Sequence, residues 1–408
     1  MSELATIVSR VANNTYSHTR RIMPEQPWWE NLETSFHKFP DDFELDLKTQ
    51  AMVEATAAVD VVVRTAAASI VSCLALPLSA NPRQLLQDFN EREIYCSKAS
   101  QGDPSAFFWE PPKHVGVTES SPGWPSFHPK NGTCTELSFE SPFVPVNPSL
   151  RDKYRKNKNN MRAVAQYWRH DNGPRPTIAV IHGFMADPYW LNSVFLALPW
   201  FYQQGYDILL YTLPHHGARR GRFAPFSGHG YFAGGISNIN ETVAHAIYDF
   251  RIFMNYLESR GVGKIGVTGI SLGGYTTALL ASVEKRLAFA IPNVPVVSLF
   301  DLMLQWFPAS MVLKSGLRLS GISVKEARHM MAVHCPLTYQ PVLSKDKLMI
   351  IGGAGDRLAP PKHSRLLWDH WDRCKIHWFP GNHVLHLDQG KYLKEVSQFL
   401  KLIKFNMK

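Results

Sequence analysis

Cysteine is scarce in this chain of 408 residues, which contains five. The five are odd in number and scattered, without the paired spacing of a disulfide framework or a zinc site. They are Cys73, Cys96, Cys134, Cys335 and Cys374. The first thirty residues lack the apolar core of a secretory signal, and the apolar stretch 65–76 is too short and interrupted for a membrane span. We therefore expect a cytoplasmic, reducing location.

Acidic residues are fewer than basic ones, since 34 Asp and Glu stand against 43 Lys and Arg, for a net charge of +9. Two basic runs, 151–162 and 219–222, contribute much of the excess. They lack the interleaved aromatic residues of a nucleic-acid-binding module, so we expect no nucleic acid partner. Contact with an anionic membrane surface or an acidic substrate head group fits the charge better. A solvated basic surface without any partner is the alternative.

A Gly-x-Ser-x-Gly pattern, Gly269-Ile270-Ser271-Leu272-Gly273, lies between an apolar strand and an apolar helix. A tight turn from strand to helix lifts a serine hydroxyl out of the sheet, which makes Ser271 a candidate nucleophile. Side chains at Gly269 and Gly273 would collide with the neighbouring strand and helix. The alternative is an ordinary glycine-rich turn.

Two later strands each end in a loop with a residue that could complete a catalytic triad. Asp356 follows the strand 347–352, and His383 follows the strand 375–379. In this triad, His383 would take the serine proton, and Asp356 would orient the imidazole and stabilise the imidazolium. The chain order Ser271, Asp356, His383 is that of α/β-hydrolases.

Four other residues compete for the two roles. His386 follows closely after the first candidate base, whereas His377 lies inside a strand and is expected to pack there. Asp346 precedes its strand and so lies at the wrong end, and Asp301 begins an apolar helix. Because Asp356 and His383 each lie just after a strand, their positions favour them for the two roles.

With these motifs, residues 136–405 resemble the α/β-hydrolase superfamily, and within it the abhydrolase-domain proteins that have a long leader. The resemblance implies an α/β fold with an eight-stranded, mostly parallel sheet flanked by helices. The eight strands are expected at 136–143, 161–169, 177–181, 207–213, 264–270, 287–292, 347–352 and 375–379. Amphipathic helices are expected between and after them, at 191–204, 240–260, 271–283, 362–371 and 391–403.

The resemblance also implies an oxyanion hole formed by the backbone N–H groups of Phe184 and Leu272. His182 is expected to shape the loop that contains Phe184. This chemistry requires no metal or organic cofactor, and we expect none. His215 and His216 are adjacent and point in different directions, with no cysteine or carboxylate cluster to complete a metal site.

The resemblance divides the chain into an N-terminal helical extension with an irregular connector, 1–135, and a hydrolase domain, 136–408. A helix over 49–76 is expected to dock on the hydrolase core, with an interfacial membrane helix as the alternative. An apolar insertion at 293–344 is expected to form a helical lid that lines an acyl pocket, with Ser323 as a helix N-cap and Pro308 as a helix breaker.

These residues predict a serine hydrolase that cleaves a carboxylic ester through an acyl-enzyme, with an apolar acyl chain or lipid as substrate. A thioesterase, an acyltransferase or a serine peptidase would use the same triad, so these alternatives stay open. A non-catalytic binding protein with a hydrolase fold is the alternative from another class. The oligomeric state is not predicted.

Overall fold

Nine strands form one sheet in the computed structural model, which describes residues 26–39, 47–383 and 389–406. The strands are β1 Thr118–Ser120, β2 Gly132–Glu140, β3 Arg162–His170, β4 Thr177–Ile181, β5 Asp207–Tyr211, β6 Ile265–Ile270, β7 Ala290–Asn293, β8 Met349–Gly353 and β9 Lys375–Phe379. Their order across the sheet is β1-β2-β3-β5-β4-β6-β7-β8-β9. Most of residues 1–30, in which we expected no secretory signal, and the alternative base His386 lie outside the described residues.

The sheet is mostly parallel, as the resemblance implied. Strands β1, β2, β3 and β5 pair antiparallel in that order, and the pairs from β5 across to β9 are parallel. The expected number of eight strands was wrong, because β1 adds a ninth at the edge, paired with Glu136–Ser138 of β2. This strand has three exposed residues, so it shows none of the apolar alternation by which a strand is recognised in a sequence.

The two central strands, β4 and β5, are buried at every residue, which accounts for their unbroken apolar sequences. Strands β4, β6, β8 and β9 all run in the same direction. Their carboxyl ends therefore meet at one edge of the sheet, where open α/β sheets bind ligands. The five expected site residues lie at that edge, four in its loops and Leu272 at the start of the helix Leu272–Val283.

Seventeen α-helices flank the sheet in the part of the chain that the structure describes. They are α1 Trp28–Asn31, α2 Leu47–Leu74, α3 Leu76–Ser79, α4 Pro82–Asn90, α5 Glu93–Gln101, α6 Arg151–Lys156, α7 Lys158–Met161, α8 Tyr189–Phe195, α9 Leu198–Gln203, α10 His229–Phe232, α11 Ile236–Ser259, α12 Leu272–Val283, α13 Leu299–Gln305, α14 Ala309–Ser320, α15 Val324–Ala332, α16 Pro361–His370 and α17 Gln389–Leu402.

One helix that the sequence pattern predicts as continuous, over 191–204, is instead two helices, α8 and α9. Ala197 separates them with a left-handed backbone, φ +49°, which a continuous helix does not accommodate. Pro199 then lies in the first turn of α9, a position that proline tolerates.

Helices α13, α14 and α15 follow β7, inside the insertion predicted at 293–344. Pro308 separates α13 from α14, as expected. Ser323 is the N-cap of α15 and forms a capping box with Glu326, which confirms its predicted role. Movement of these helices as a lid stays a prediction.

The N-terminal extension packs on the insertion. Arg328 of α15 donates hydrogen bonds to the backbone carbonyls of Leu32 and Glu33, and a Cβ added to Gly316 of α14 would overlap the carbonyl of Ala80. Strand β2 begins at Gly132, so the boundary expected between 135 and 136 falls inside a strand. The division into two domains stays a prediction. None of the helices in the described ranges is long and apolar enough to cross a membrane.

Candidate active site

Ser271 lies at the turn between β6 and α12 with a backbone conformation that is rare for residues other than glycine, φ +57° and ψ −113°. Its N–H donates to the carbonyl of Asn293 at 3.0 Å, which ties the turn to the end of β7. A Cβ on Gly269 would lie 2.5 Å from the Gly273 carbonyl oxygen, and one on Gly273 would overlap that of Ile181. The steric reason predicted for both glycines is therefore confirmed.

His383 and Asp356 form a buried pair on the loops after β9 and β8. The distance from His383 Nδ1 to Asp356 Oδ2 is 2.6 Å. The other carboxylate oxygen of Asp356 accepts the N–H groups of Leu358 at 2.9 Å and Ala359 at 2.8 Å. Because a carboxylate can only accept, Nδ1 carries the proton, and Nε2 is left as the basic atom.

The electrostatics of this pair suit a general base. Burial alone would lower the pKa of His383, but the opposing charge of Asp356 and the hydrogen bond between them raise it above its ordinary value, with a smaller contribution from Asp60. The imidazolium that forms when His383 accepts a proton is thus stabilised in place.

The residues of the two expected oxyanion donors, Phe184 and Leu272, lie next to segments that contact or adjoin Ser271. Leu272 is the first residue of α12, directly after Ser271. A Cβ on Gly183, the residue before Phe184, would lie 3.4 Å from Ser271 Cβ, so this loop packs against the serine. Among the described residues, the backbone N–H of neither Phe184 nor Leu272 donates to another protein group.

His182 supports the loop that contains Phe184. Its Nδ1 donates to the carbonyl of Gly183 at 2.8 Å, and its Nε2 accepts the N–H of Leu213 at 3.0 Å. Burial lowers the pKa of His182, which keeps the ring neutral and preserves both bonds. This is the supporting role expected from the sequence.

An apolar cavity of about 40 Å³ lies beside Ser271. It is enclosed by side chains of the N-terminal helix α2, of the loop after β4, and of the helices that follow β7. The residues that line it are Val71, Phe184, Phe232, Ser271, Leu272, Val296, Leu299, Leu302, Met303, Trp306 and Ala309. The insertion 293–344, which was predicted to contribute apolar lining residues, contributes six of them: Val296, Leu299, Leu302, Met303, Trp306 and Ala309.

The described residues competing for the triad roles lie elsewhere. His377 is within β9, and Asp346 is in a short 3-10 turn before β8. Asp301 forms a buried ion pair with Arg328 at 2.6 Å.

The adjacent histidines His215 and His216 have separate hydrogen-bond partners, Asn160 and the Pro214 carbonyl. No group of metal-ligating side chains occurs in the described ranges.

Sequence reasoning missed one residue that contacts the pair, Asp60 of helix α2. Its carboxylate accepts the N–H of His383 at 2.8 Å and the N–H of Arg357 at 2.9 Å. The signal available in the sequence was an acid within a stretch rich in Ala and Val, and the structure shows that this acid is fully buried. The sequence offered no indication of which loops it would reach.

The sheet order, the turn at Ser271 and the position of the loops are those of an α/β-hydrolase fold. A model of the family described as "Alpha/beta hydrolase domain containing 18" matches residues 129–302. Two uncharacterized proteins of Mycobacterium tuberculosis, from strains CDC 1551 and H37Rv, are each 31% identical over 306 residues, which is 72% of this chain and 68% of each relative. The chain belongs to the α/β-hydrolase family.

Solved structures share the fold at low sequence identity. Acetyl xylan esterase 1 from Thermoanaerobacterium sp. JW/SL YS485 is 16% identical with a TM-score of 0.51, over 78% of this chain and 93% of the esterase. An acetyl xylan esterase from Paenibacillus sp. R4 is 12% identical with a TM-score of 0.51, over 83% of this chain and 99% of the esterase.

Proposed function

We propose that this protein is a serine hydrolase that cleaves carboxylic esters, with Ser271 as nucleophile, His383 as general base and Asp356 as the acid that orients it. The observation that carries the proposal is the buried pair of His383 and Asp356, 2.6 Å apart, at the same sheet edge as the strained turn of Ser271. A strained serine and a base oriented by a carboxylate are the parts that nucleophilic acyl transfer requires.

The reaction follows from the atoms at this edge. As Ser271 Oγ attacks the ester carbonyl carbon, His383 Nε2 takes the hydroxyl proton and then gives it to the departing alkoxide. Water attacks the resulting acyl-enzyme with its proton passing to the same nitrogen, and Ser271 Oγ leaves with that proton. The N–H groups of Phe184 and Leu272 would bind the oxyanion, and losing one such donor costs about 3 kcal/mol of barrier.

An apolar acyl group is the substrate feature that the cavity favours, because its lining is almost entirely apolar. Its volume, about 40 Å³, accommodates only a short acyl group without movement of the surrounding helices. A long acyl chain would therefore require α13 and α14 to shift outward, as a lid does. The esterase names of two structural relatives make esters the first substrates to test.

Labelling with a fluorophosphonate probe, followed by mass-spectrometric mapping, tests the proposal. We expect modification at Ser271 in the wild type and none in Ser271→Ala or His383→Ala. Ser259→Ala, at the exposed end of α11, is the matched control and should label like the wild type. Absence of labelling even with detergent or lipid present would contradict the proposal and favour a binding protein.

A series of substrates separates the reactions that share this triad. Aryl esters from acetyl to dodecanoyl, the matching thioesters and an anilide should be compared by kcat/KM, and an alcohol acceptor should be added to detect acyl transfer. We expect esters to be preferred. Faster turnover of thioesters or anilides, or transfer to the acceptor in place of hydrolysis, would assign one of the alternative activities.

Peripheral contact with an anionic membrane is a second proposal. The net charge of +9 supports it, as do Phe307 and Met311, which are exposed next to cavity residues of α13 and α14. Cosedimentation should show binding to vesicles with anionic lipid that weakens with salt. Equal binding to neutral vesicles, or none to either, would contradict it.

A further inference from the structure

A carboxylate of the N-terminal helix α2 joins the two loops that contain Asp356 and His383. A single oxygen of Asp60, Oδ2, accepts the N–H of Arg357 at 2.9 Å and the N–H of His383 at 2.8 Å. Asp60 has no exposed surface. Because one atom holds both backbone groups, the separation of the two loops depends on the position of this carboxylate.

The same helix holds the other side of the Arg357 peptide. Arg64, one helical turn after Asp60, donates from Nη1 to the carbonyl of Arg357 at 3.0 Å. Both polar groups of the residue next to Asp356 are therefore bound by α2. Asp60 and Arg357 are 297 residues apart in the sequence, and Arg64 and Arg357 are 293 apart, so both contacts are tertiary.

Asp60 also contributes charge near His383. Burial and, next, the nearby Asp356 raise the pKa of Asp60 above its ordinary value, although its two backbone N–H donors and His383 oppose that rise. As a carboxylate, Asp60 adds to the attraction that raises the pKa of His383. Its second oxygen, Oδ1, is buried with no hydrogen-bond partner among the described residues, which is costly for a charged group. This cost is consistent with a role in the site.

We propose that Asp60 and Arg64 are positioning residues of the active site, so that helix α2 holds the loops of Asp356 and His383 in place for catalysis. This inference rests on the proposed function. Neither residue is assigned contact with substrate. Asp60 fixes the backbone of His383 against that of Arg357, and Arg64 fixes the Arg357 peptide. Displacement of a catalytic group by about 1 Å can reduce a rate by about 100-fold.

Four variants of the full chain test the proposal. Asp60→Asn keeps the size and one acceptor oxygen but removes the charge, and Asp60→Ala removes both. Arg64→Gln weakens the second contact at a partly exposed position. Glu54→Gln, an exposed acid on the same helix, is the matched control. Circular dichroism and thermal unfolding establish which variants are folded.

We expect Asp60→Asn to lower kcat by about 10-fold with KM unchanged, and Asp60→Ala by about 100-fold. Arg64→Gln should lower kcat by about 3-fold, a smaller loss because Asp60 remains. In Asp60→Asn the acidic limb of the pH profile should move to lower pH, because a negative charge that favours the imidazolium is gone. Glu54→Gln should match the wild type.

Two outcomes would overturn the proposal. One is a folded Asp60→Asn with the kcat and acidic limb of the wild type. The other, if the Asp60 variants do not fold, is an Arg64→Gln protein that is folded and fully active. NMR titration can measure the imidazole pKa of His383 in the wild type and in Asp60→Asn. A lower pKa in the variant is expected, and this comparison tests the charge effect without turnover. Failure of the proposed function would instead show as an unlabelled Ser271 in the wild type.

Discussion

Arg328 Nη2 lies 2.6 Å from Asp301 Oδ1, and both side chains are fully buried. Asp301 is in α13 and Arg328 in α15, so this pair joins two helices of the insertion beside the cavity. The same guanidinium binds the carbonyls of Leu32 and Glu33. One side chain therefore connects the insertion to the N-terminal extension.

Arg328→Met should lower the free energy of unfolding by about 3–5 kcal/mol, because it leaves the Asp301 carboxylate buried without its cation. Urea unfolding measures the loss. Lys325→Met is the control, since Lys325 makes an exposed ion pair with Glu30 at 3.2 Å that is worth at most about 1 kcal/mol. Similar losses in the two variants would contradict the prediction.

The conformation of Ser271 leads to a second prediction about stability. Ser271→Gly and Ser271→Ala both remove the hydroxyl, but only glycine adopts φ +57° and ψ −113° without strain. We expect the glycine variant to be more stable than the alanine variant by about 1 kcal/mol. Urea unfolding of the two variants provides the comparison.

Ser193, inside helix α8, provides the control for that comparison. At a helical position glycine is less stable than alanine by about 0.5–1 kcal/mol, so the order of the two variants should reverse. Alanine more stable than glycine at both serines would show that the turn at Ser271 stores no strain.

Strong local patterns made most of the sheet predictable. All eight expected strands occur, because a buried strand such as β4 is apolar at nearly every position and is bounded by turns. The turn at Ser271 was predictable for the same reason, since its glycines are required by contacts within a strand–turn–helix unit. The missing strand, β1, is short and exposed and so has no such pattern.

Tertiary contacts were not predictable from these patterns. The break at Ala197 occurs inside a sequence that favours a continuous helix, and its left-handed backbone is set by the surrounding fold. Asp60 reaches His383 across 323 residues of sequence, and no local spacing indicates that contact. The sequence therefore indicated candidate site residues but not the tertiary contacts that hold them in place.

The size of the cavity predicts how acyl chains are discriminated. Leu302→Phe should fill part of the space of about 40 Å³ beside Ser271. We expect kcat/KM to fall by at least about 10-fold for long-chain esters and to change little for acetyl esters, because an added apolar group in a pocket costs about 1–3 kcal/mol of discrimination. Steady-state kinetics on the ester series measures this difference.

Leu319→Phe is the matched control, since Leu319 is 72% exposed on α14 and does not line the cavity. It should leave the chain-length preference unchanged. An equal loss for acetyl and long-chain esters in Leu302→Phe would show that the acyl group binds elsewhere.

The pH dependence of turnover follows from the pair of His383 and Asp356. His383 must be neutral to accept the Ser271 proton, so activity should rise with pH through the pKa of His383. Burial lowers that pKa, but Asp356 and Asp60 together raise it by more than burial lowers it, so the net direction is upward. The acidic limb of kcat/KM should therefore lie above the ordinary histidine value of about 6.5.

Asp356→Asn tests the sign of this effect. The neutral amide no longer stabilises the imidazolium, so the acidic limb should move to lower pH. Its nitrogen can also hold the imidazole in the wrong tautomer, and a loss in kcat of about 10⁴-fold is expected. Asp346→Asn, an exposed acid before β8, is the control and should change neither quantity. An acidic limb that stays in place in Asp356→Asn would show that another group governs it.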